Sequence, residues 1–226
     1  MYDTFFNLKL APFENTPDPR FFYASEQHRE ALAALEYTIR MRKGFVLISG
    51  DIGSGKTTVA QTMRKRCGDQ AQIVEILHGH RDGDGVLRQI VRTLGVKRGR
   101  NDDRGRLLER IRDFLDRTIG ESAKPLVLFV DEAQTLSDRA LEELRLLSNF
   151  DNNRAKTIQI VLVGQPELRD RVAAPQMAAL RQRIVLAKQL RPMGRAETGK
   201  YIAHRIKVAS VDPEQVRVSF VSEAID

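Results

Sequence analysis

The segment Gly50-Asp51-Ile52-Gly53-Ser54-Gly55-Lys56-Thr57 constrains this chain more than any other. It follows the apolar run Phe45-Val-Leu-Ile48, which reads as a buried strand. It precedes Thr58-Val-Ala-Gln-Thr-Met-Arg-Lys65, which reads as a helix. Strand, glycine loop and helix in that order form the context a phosphate-binding loop requires. The glycines let backbone N–H groups turn toward an anion with no Cβ in the way. The helix that starts here points its positive end at the same place. Lys56 is predicted to bind the β- and γ-phosphates as a point charge, and the Thr57 hydroxyl to sit on Mg²⁺. Thr58, the next residue, completes the predicted nucleotide-binding set.

A chain of 226 residues can bury one sizeable core and a small appendage. Its single cysteine, Cys67, rules out a disulfide framework and fits a reducing compartment. The start, Met1-Tyr-Asp-Thr-Phe-Phe, lacks the basic and apolar regions of a secretory signal. The longest apolar runs, at 126–130 and 158–163, are far too short to cross a bilayer. The net charge is +7, and much of the excess is arginine. One cluster is Lys97-Arg98-Gly-Arg100 with Arg104, Arg106, Arg110 and Arg112; the other runs from Arg181 to Lys207. Such a surface fits nucleic acid, anionic lipid or an acidic protein face. Asp102, Asp103, Glu109 and Asp113 among the first cluster fit instead a solvated face of mixed charge.

Residues 1–25 are rich in proline and aromatics and read as an ordered strap lying on the main domain. Ser25-Glu-Gln-His28 fits a helix cap, with a helix to about Arg42 whose apolar Ala31, Leu32, Leu35 and Ile39 share one face. Strands are then predicted at 45–49, 73–77, 126–130, 158–163 and 184–187. Helices fall near 56–66, 84–94, 103–117, 138–149 and 167–180. Near-continuous apolar strands imply a parallel sheet buried on both faces, a doubly wound α/β core over 26–191. After Pro192 the pattern changes. An amphipathic helix over 196–208 is followed by a turn at Asp212 and a new helix near Ser219. Residues 192–226 therefore read as the incomplete start of a helical lid.

The second half of the predicted chemistry is Leu126-Val-Leu-Phe-Val130-Asp131-Glu132, an apolar strand ending in two carboxylates. Asp131 is placed to hold Mg²⁺ opposite Thr57, and Glu132 to polarise the attacking water. The run Ile158–Val163 ends in Gly164-Gln165, and on an adjacent strand Gln165 would face the γ-phosphate. An arginine ahead of the last strand can complete a neighbour's site in trans. Arg183 is the first candidate for that role and Arg181 the second. His78-Gly-His80 has no cysteine or carboxylate cluster beside it and reads as loop histidines. Cys67 has no catalytic partner and reads as structural.

These residues carry a resemblance. The chain resembles AAA+ ATPases of the general-secretion-pathway protein A (ExeA-like) type. The matching segments are Phe5-Phe-Asn-Leu-Lys-Leu-Ala-Pro-Phe13, Pro17-Asp-Pro-Arg-Phe-Phe-Tyr23, the phosphate loop and Val130-Asp-Glu-Ala-Gln134. They continue in Leu141-Glu-Glu-Leu-Arg-Leu-Leu-Ser-Asn149, Val161-Leu-Val-Gly-Gln-Pro-Glu-Leu168, Leu180-Arg-Gln-Arg-Ile184 and the stretch from Glu197 to Arg205. The resemblance implies an AAA+ P-loop core with sheet order 5-1-4-3-2, ATP with Mg²⁺, and assembly into a ring or filament. It also implies that Arg183 or Arg181 is the arginine finger; in one departure, the family's lid usually continues to an arginine that contacts the nucleotide, a position this sequence ends before. Transposition ATPases of the TniB/MuB type are similar over the same core and bind duplex DNA.

The expected function is thus ATP hydrolysis that drives assembly of a secretion- or pilus-type envelope machine. The expected location is cytoplasmic, at the inner face of the inner membrane through a partner or a further C-terminal part. The alternatives are a DNA-binding ATPase of transposon target selection, or a nucleotide-dependent switch or scaffold with little turnover. A strand-separating helicase fits less well, because no second set of motor motifs appears.

Overall fold

The computed structural model describes residues 6–14, 18–76, 82–97, 99, 102–122, 124–152, 155–214 and 216–217. The predicted helix near Ser219, the His78-Gly-His80 pair, Leu77, Arg98 and Arg100 lie outside the described residues.

Five parallel strands form the sheet: β1 (Phe45–Gly50), β2 (Gln72–Ile76), β3 (Leu126–Val130), β4 (Ile158–Gly164) and β5 (Ile184–Leu190). Their order across the sheet is β2-β3-β4-β1-β5, the expected 5-1-4-3-2 counted from the other edge. The longer helices before, between and after them are α1 (Glu26–Arg40), α2 (Lys56–Cys67), α3 (Gly83–Thr93), α4 (Arg104–Ser122), α5 (Asp138–Leu147), α6 (Pro166–Ala173) and α7 (Arg195–Ala209). A two-residue antiparallel pair, Asp151–Asn152 with Ala155–Lys156, precedes β4.

Strand alternation divides the core into two layers. Phe45 and Leu47 of β1 face one layer with Leu128 and Ile160, packed against α3, α4 and α5 through Leu87, Ile111 and Leu144. Val46 and Ile48 face the other with Phe129 and Val161, packed against α1 and α2 through Leu35 and Met63. Each fully buried Leu, Ile or Phe contributes about 1.5–3 kcal/mol of transfer free energy. The one polar side chain in the middle of β4, Gln159, is buried but satisfied: its Oε1 accepts from the Gly44 N–H at 2.7 Å. The central strands β1, β3 and β4 are therefore buried on both faces, as their continuous apolar runs require.

The edge strands correct the expectation of uniform burial. β5 pairs only with β1, and its burial alternates, leaving Val185 more than half exposed. β2, at the other edge, exposes Gln72. The helix expected over 167–180 is also divided. It ends at Ala173 and resumes, after a turn at Pro175–Met177, as Ala178–Arg181. Pro175 has no N–H and disfavours helical backbone at Ala174, which is extended.

Caps set the helix starts. The Ser25 side chain accepts from the His28 N–H, Asp82 from Gly85 and Ser137 from Ala140. α1 stops at Arg40 rather than Arg42, because Arg42 takes a left-handed turn with φ 50° into Gly44.

The N-terminal residues lie along α7. Lys9 N–H donates to Ala209 O at 2.8 Å, and Val211 N–H to Asn7 O at 3.0 Å. The Arg205 guanidinium donates to the Pro12 carbonyl and sits over the rings of Phe13, Phe21 and Tyr201. On α7 itself Ala209 is buried, whereas Ile202 and Ile206 are only half-buried. Among the described residues no helix is long and apolar enough to cross a membrane.

Candidate nucleotide site

The loop at 50–58 leaves the C-terminal end of β1 and runs into α2. Gly53 and Gly55 have φ of +82° and +84°, a left-handed backbone that side chains rarely adopt. A Cβ on Gly50 would lie 2.5 Å from the Leu190 carbonyl and 2.6 Å from Ser54 Oγ, so β5 and the loop close on that glycine. Ser54 and Lys56 are buried, and Ile52 stands out as the most exposed large apolar side chain. Ser54 Oγ has no hydrogen-bond partner among the described residues. The Lys56 ammonium donates to the loop's own Asp51 carbonyl at 2.7 Å. Burial pushes its pKa down, against the carboxylates of Glu132, Asp131, Asp51 and Glu167 that hold it up. A buried cation, the free N–H groups of a helix start and an orphaned hydroxyl suit a polyanion.

The carboxylates sit at the ends of the neighbouring strands. Asp131 follows β3 directly, and its Oδ1 accepts from the Glu132 N–H at 2.9 Å. Glu132 is in the left-handed region, φ 51°, an uncommon backbone for a side-chain-bearing residue. Its carboxylate is held by two amides: Gln134 Nε2 donates to Oε2 at 2.6 Å, and Gln165 Nε2 reaches the same oxygen at 3.4 Å. Gln134 Oε1 in turn accepts from the Gln165 N–H at 3.1 Å, tying the loop after β3 to the end of β4. A Cβ on Gly164 would meet Gln134 Oε1 at 2.7 Å and Leu168 Cδ2 at 2.8 Å. Arg171 of α6 donates to the carbonyls of Gln134 (3.0 Å) and Leu136 (2.6 Å) and braces that loop from behind.

Of the residues singled out in the sequence, the loop, Asp131, Glu132 and Gln165 come together on the C-terminal edges of β1, β3 and β4. Arg181 and Arg183 do not join them. β5 runs parallel to β1 with Ile184 beside Phe45 and Leu190 beside Gly50, so both arginines lie at the opposite end of the sheet, about 17 Å away at ~3.3 Å per residue. There Arg183 donates to Asn149 Oδ1 at 2.7 Å and Arg181 to the Ala173 carbonyl at 2.8 Å. They cannot serve their own chain's loop.

Three features went unread in the sequence. Gln134 lay within the acidic run but had no assigned task. His28 was read only as part of a helix cap, yet its Nε2 lies 2.8 Å from the Ser54 carbonyl. A cavity of about 430 Å³ opens beside the loop, walled by Phe21, Phe22 and Tyr23 on one side and Thr198, Tyr201 and Arg205 of α7 on the other. The aromatic run at 21–23 was its sequence signal. Part of the arginine-rich stretch at α4 is paired: Arg104 meets Glu143 at 2.6 Å and Arg110 meets Asp102 at 2.7 Å, while Arg112 stacks on Phe150. Among the described residues no group of three or more His, Cys, Asp or Glu is placed to hold a metal.

Comparison with known proteins agrees with this geometry. Residues 39–172 match the AAA-domain family. General secretion pathway protein A of Aeromonas hydrophila is 36% identical over 209 residues, which are 92% of this chain and 38% of that protein. Cdc6p of Pyrobaculum aerophilum shares the fold with a TM-score of 0.65 at 18% identity, over 85% of this chain and 54% of that one. The Aeropyrum pernix ORC2 protein gives 0.63 at 18% identity, over 87% and 55%. The chain thus spans little more than a third of the curated relative and about half of these structures. With a phosphate loop, a paired carboxylate strand end, the 5-1-4-3-2 sheet and that identity, the chain belongs to the AAA+ ATPase family of general secretion pathway protein A.

Proposed function

We propose that this chain binds ATP with Mg²⁺ and hydrolyses it, as a subunit that associates with copies of itself. The observation that carries the reading is the convergence of the loop at 50–58 with Asp131 and Glu132 on neighbouring strand ends. Lys56 and the loop N–H groups would hold the phosphates, and the base and sugar would occupy the adjoining cavity. Thr57 and Asp131 would hold Mg²⁺. The metal needs few protein ligands, because it keeps waters and phosphate oxygens, so a hydroxyl and one carboxylate fit it. Glu132 would take the proton of the attacking water, with Gln165 beside it reporting the γ-phosphate. Arg183, or failing it Arg181, would reach the phosphates of a neighbouring subunit, which their position at the far end of β5 supports.

A strap over 1–25, a core over 26–191 and the start of a lid over 192–226 belong to the same reading. The cavity between the aromatics of the first and the helix of the last supports that division. The cellular task we propose is assembly of a secretion- or pilus-type envelope machine, at the cytoplasmic face of the inner membrane through a partner. Its support is the identity with general secretion pathway protein A. The net charge of +7 favours duplex DNA as a second reading, and the Aeropyrum pernix ORC1 protein was solved in complex with DNA. The pairing of Arg104 and Arg110 with carboxylates weakens it.

The test is the ATPase rate per subunit against protein concentration, with and without duplex DNA. A rate per subunit that rises with concentration and ignores DNA supports the first reading. ATP-dependent retention on duplex that falls steeply with salt supports the second. A flat, negligible rate beside normal ATP binding leaves only the switch.

A further inference from the structure

We propose that His28 is a positioning residue of the phosphate loop, aiming the loop's N–H groups at the anion through the Ser54–Gly55 peptide. This rests on the loop being a nucleotide site. His28 stands on the first turn of α1, where Ser25 accepts from its N–H at 3.3 Å, and its side chain is 2% exposed. The Ser54 carbonyl can only accept, so the 2.8 Å contact places the imidazole proton on Nε2. Nδ1 is buried and has no partner among the described residues. Phe22 lies beside the ring, tilted at 44° with the centroids 5.9 Å apart. A Cβ on Gly55 would lie 2.6 Å from Nε2.

The consequence follows from peptide geometry. The bond between Ser54 and Gly55 is trans, so its carbonyl and N–H point in opposite directions. With the carbonyl tied to His28, the Gly55 N–H must point away from α1, to the side where the first N–H groups of α2 are free. The same ring fills the space where a side chain at position 55 would go, which adds a steric reason for glycine there to the one set by its φ of +84°.

Calorimetric titration of ADP and of adenosine into the wild-type chain, Lys56→Ala, His28→Gln and His28→Asn tests the proposal, with a thermal melt on each. Glutamine can put an amide N–H where Nε2 is; asparagine reaches only the Nδ1 position. The expected result is ADP affinity lowered about tenfold in His28→Asn and restored to within about threefold in His28→Gln, the worth of one hydrogen bond. Adenosine has no phosphate, so its affinity should differ between His28→Asn and His28→Gln by less than that of ADP, although His28 also lines the cavity. If both His28 variants bind ADP as the wild type does, or both lose it equally while Lys56→Ala also loses it, His28 has no positioning role. If ADP binding by the wild type is absent, or is unaffected by Lys56→Ala, the nucleotide reading fails and this inference with it.

Discussion

At the end of β1 the proposed anion site is mostly backbone: two left-handed glycines and a helix start, joined by one lysine side chain, all within nine consecutive residues. At the ends of β3 and β4 the opposing half is made of side chains from separate segments. There Glu132, Gln134 and Gln165 are joined by contacts of 2.6, 3.1 and 3.4 Å. The first half depends on local conformation and on the room left where a Cβ is missing. The second depends on two strands being neighbours in space although they are distant in the chain. A change in the first should therefore be felt as lost binding, and a change in the second as lost turnover with binding kept.

The sharpest way to break this contrast is Lys56→Ala. It leaves the carboxylate half intact and removes the buried cation, so ATP affinity should fall by about a hundredfold or more, read by equilibrium binding. Next is Gln134→Ala. It frees the Glu132 carboxylate from its shorter contact and unties the two loops, so kcat should fall about tenfold with ATP affinity unchanged. A parallel loss of affinity would mean that the halves are not separable.

Gly164→Ala comes third. Its Cβ must displace Gln134 Oε1 and Leu168, so stability should fall by about 1–3 kcal/mol in urea unfolding, with the Gln134→Ala background tolerating it better. The smallest effect is on pH. Burial lowers the Lys56 pKa below 10.5, so between the lowered value and 10.5 the unfolded chain binds the extra proton. The contribution of Lys56 to the stability of the nucleotide-free protein, read as wild type minus Lys56→Met, should rise with pH through that window. A fall would contradict the burial of the charged amine.

The same contrast explains what could be read from the residues alone. The loop was legible because its conformation is written in closely spaced glycines, and the sheet order because the resemblance supplied it. Asp131 and Glu132 were legible because a buried strand ends on them. Gln134 was not, since its task depends on β4 lying beside β3, which places the Gln165 N–H within reach. His28 was not, since nothing in Ser25-Glu-Gln-His28 says that α1 crosses behind the loop. The alternating burial of β5 was missed because 184–187 is apolar enough to look internal, whereas only its pairing to one neighbour reveals an edge. The break at Pro175 could have been read from the proline itself.

The account stands most directly on Glu132 acting on water after ATP is already held. Phosphate release in a single turnover, from ATP pre-bound to wild type and to Glu132→Gln, tests it. The prediction is equal ATP binding and a release rate lower by about 10²–10⁴-fold in the variant. Release at the wild-type rate from Glu132→Gln would contradict it.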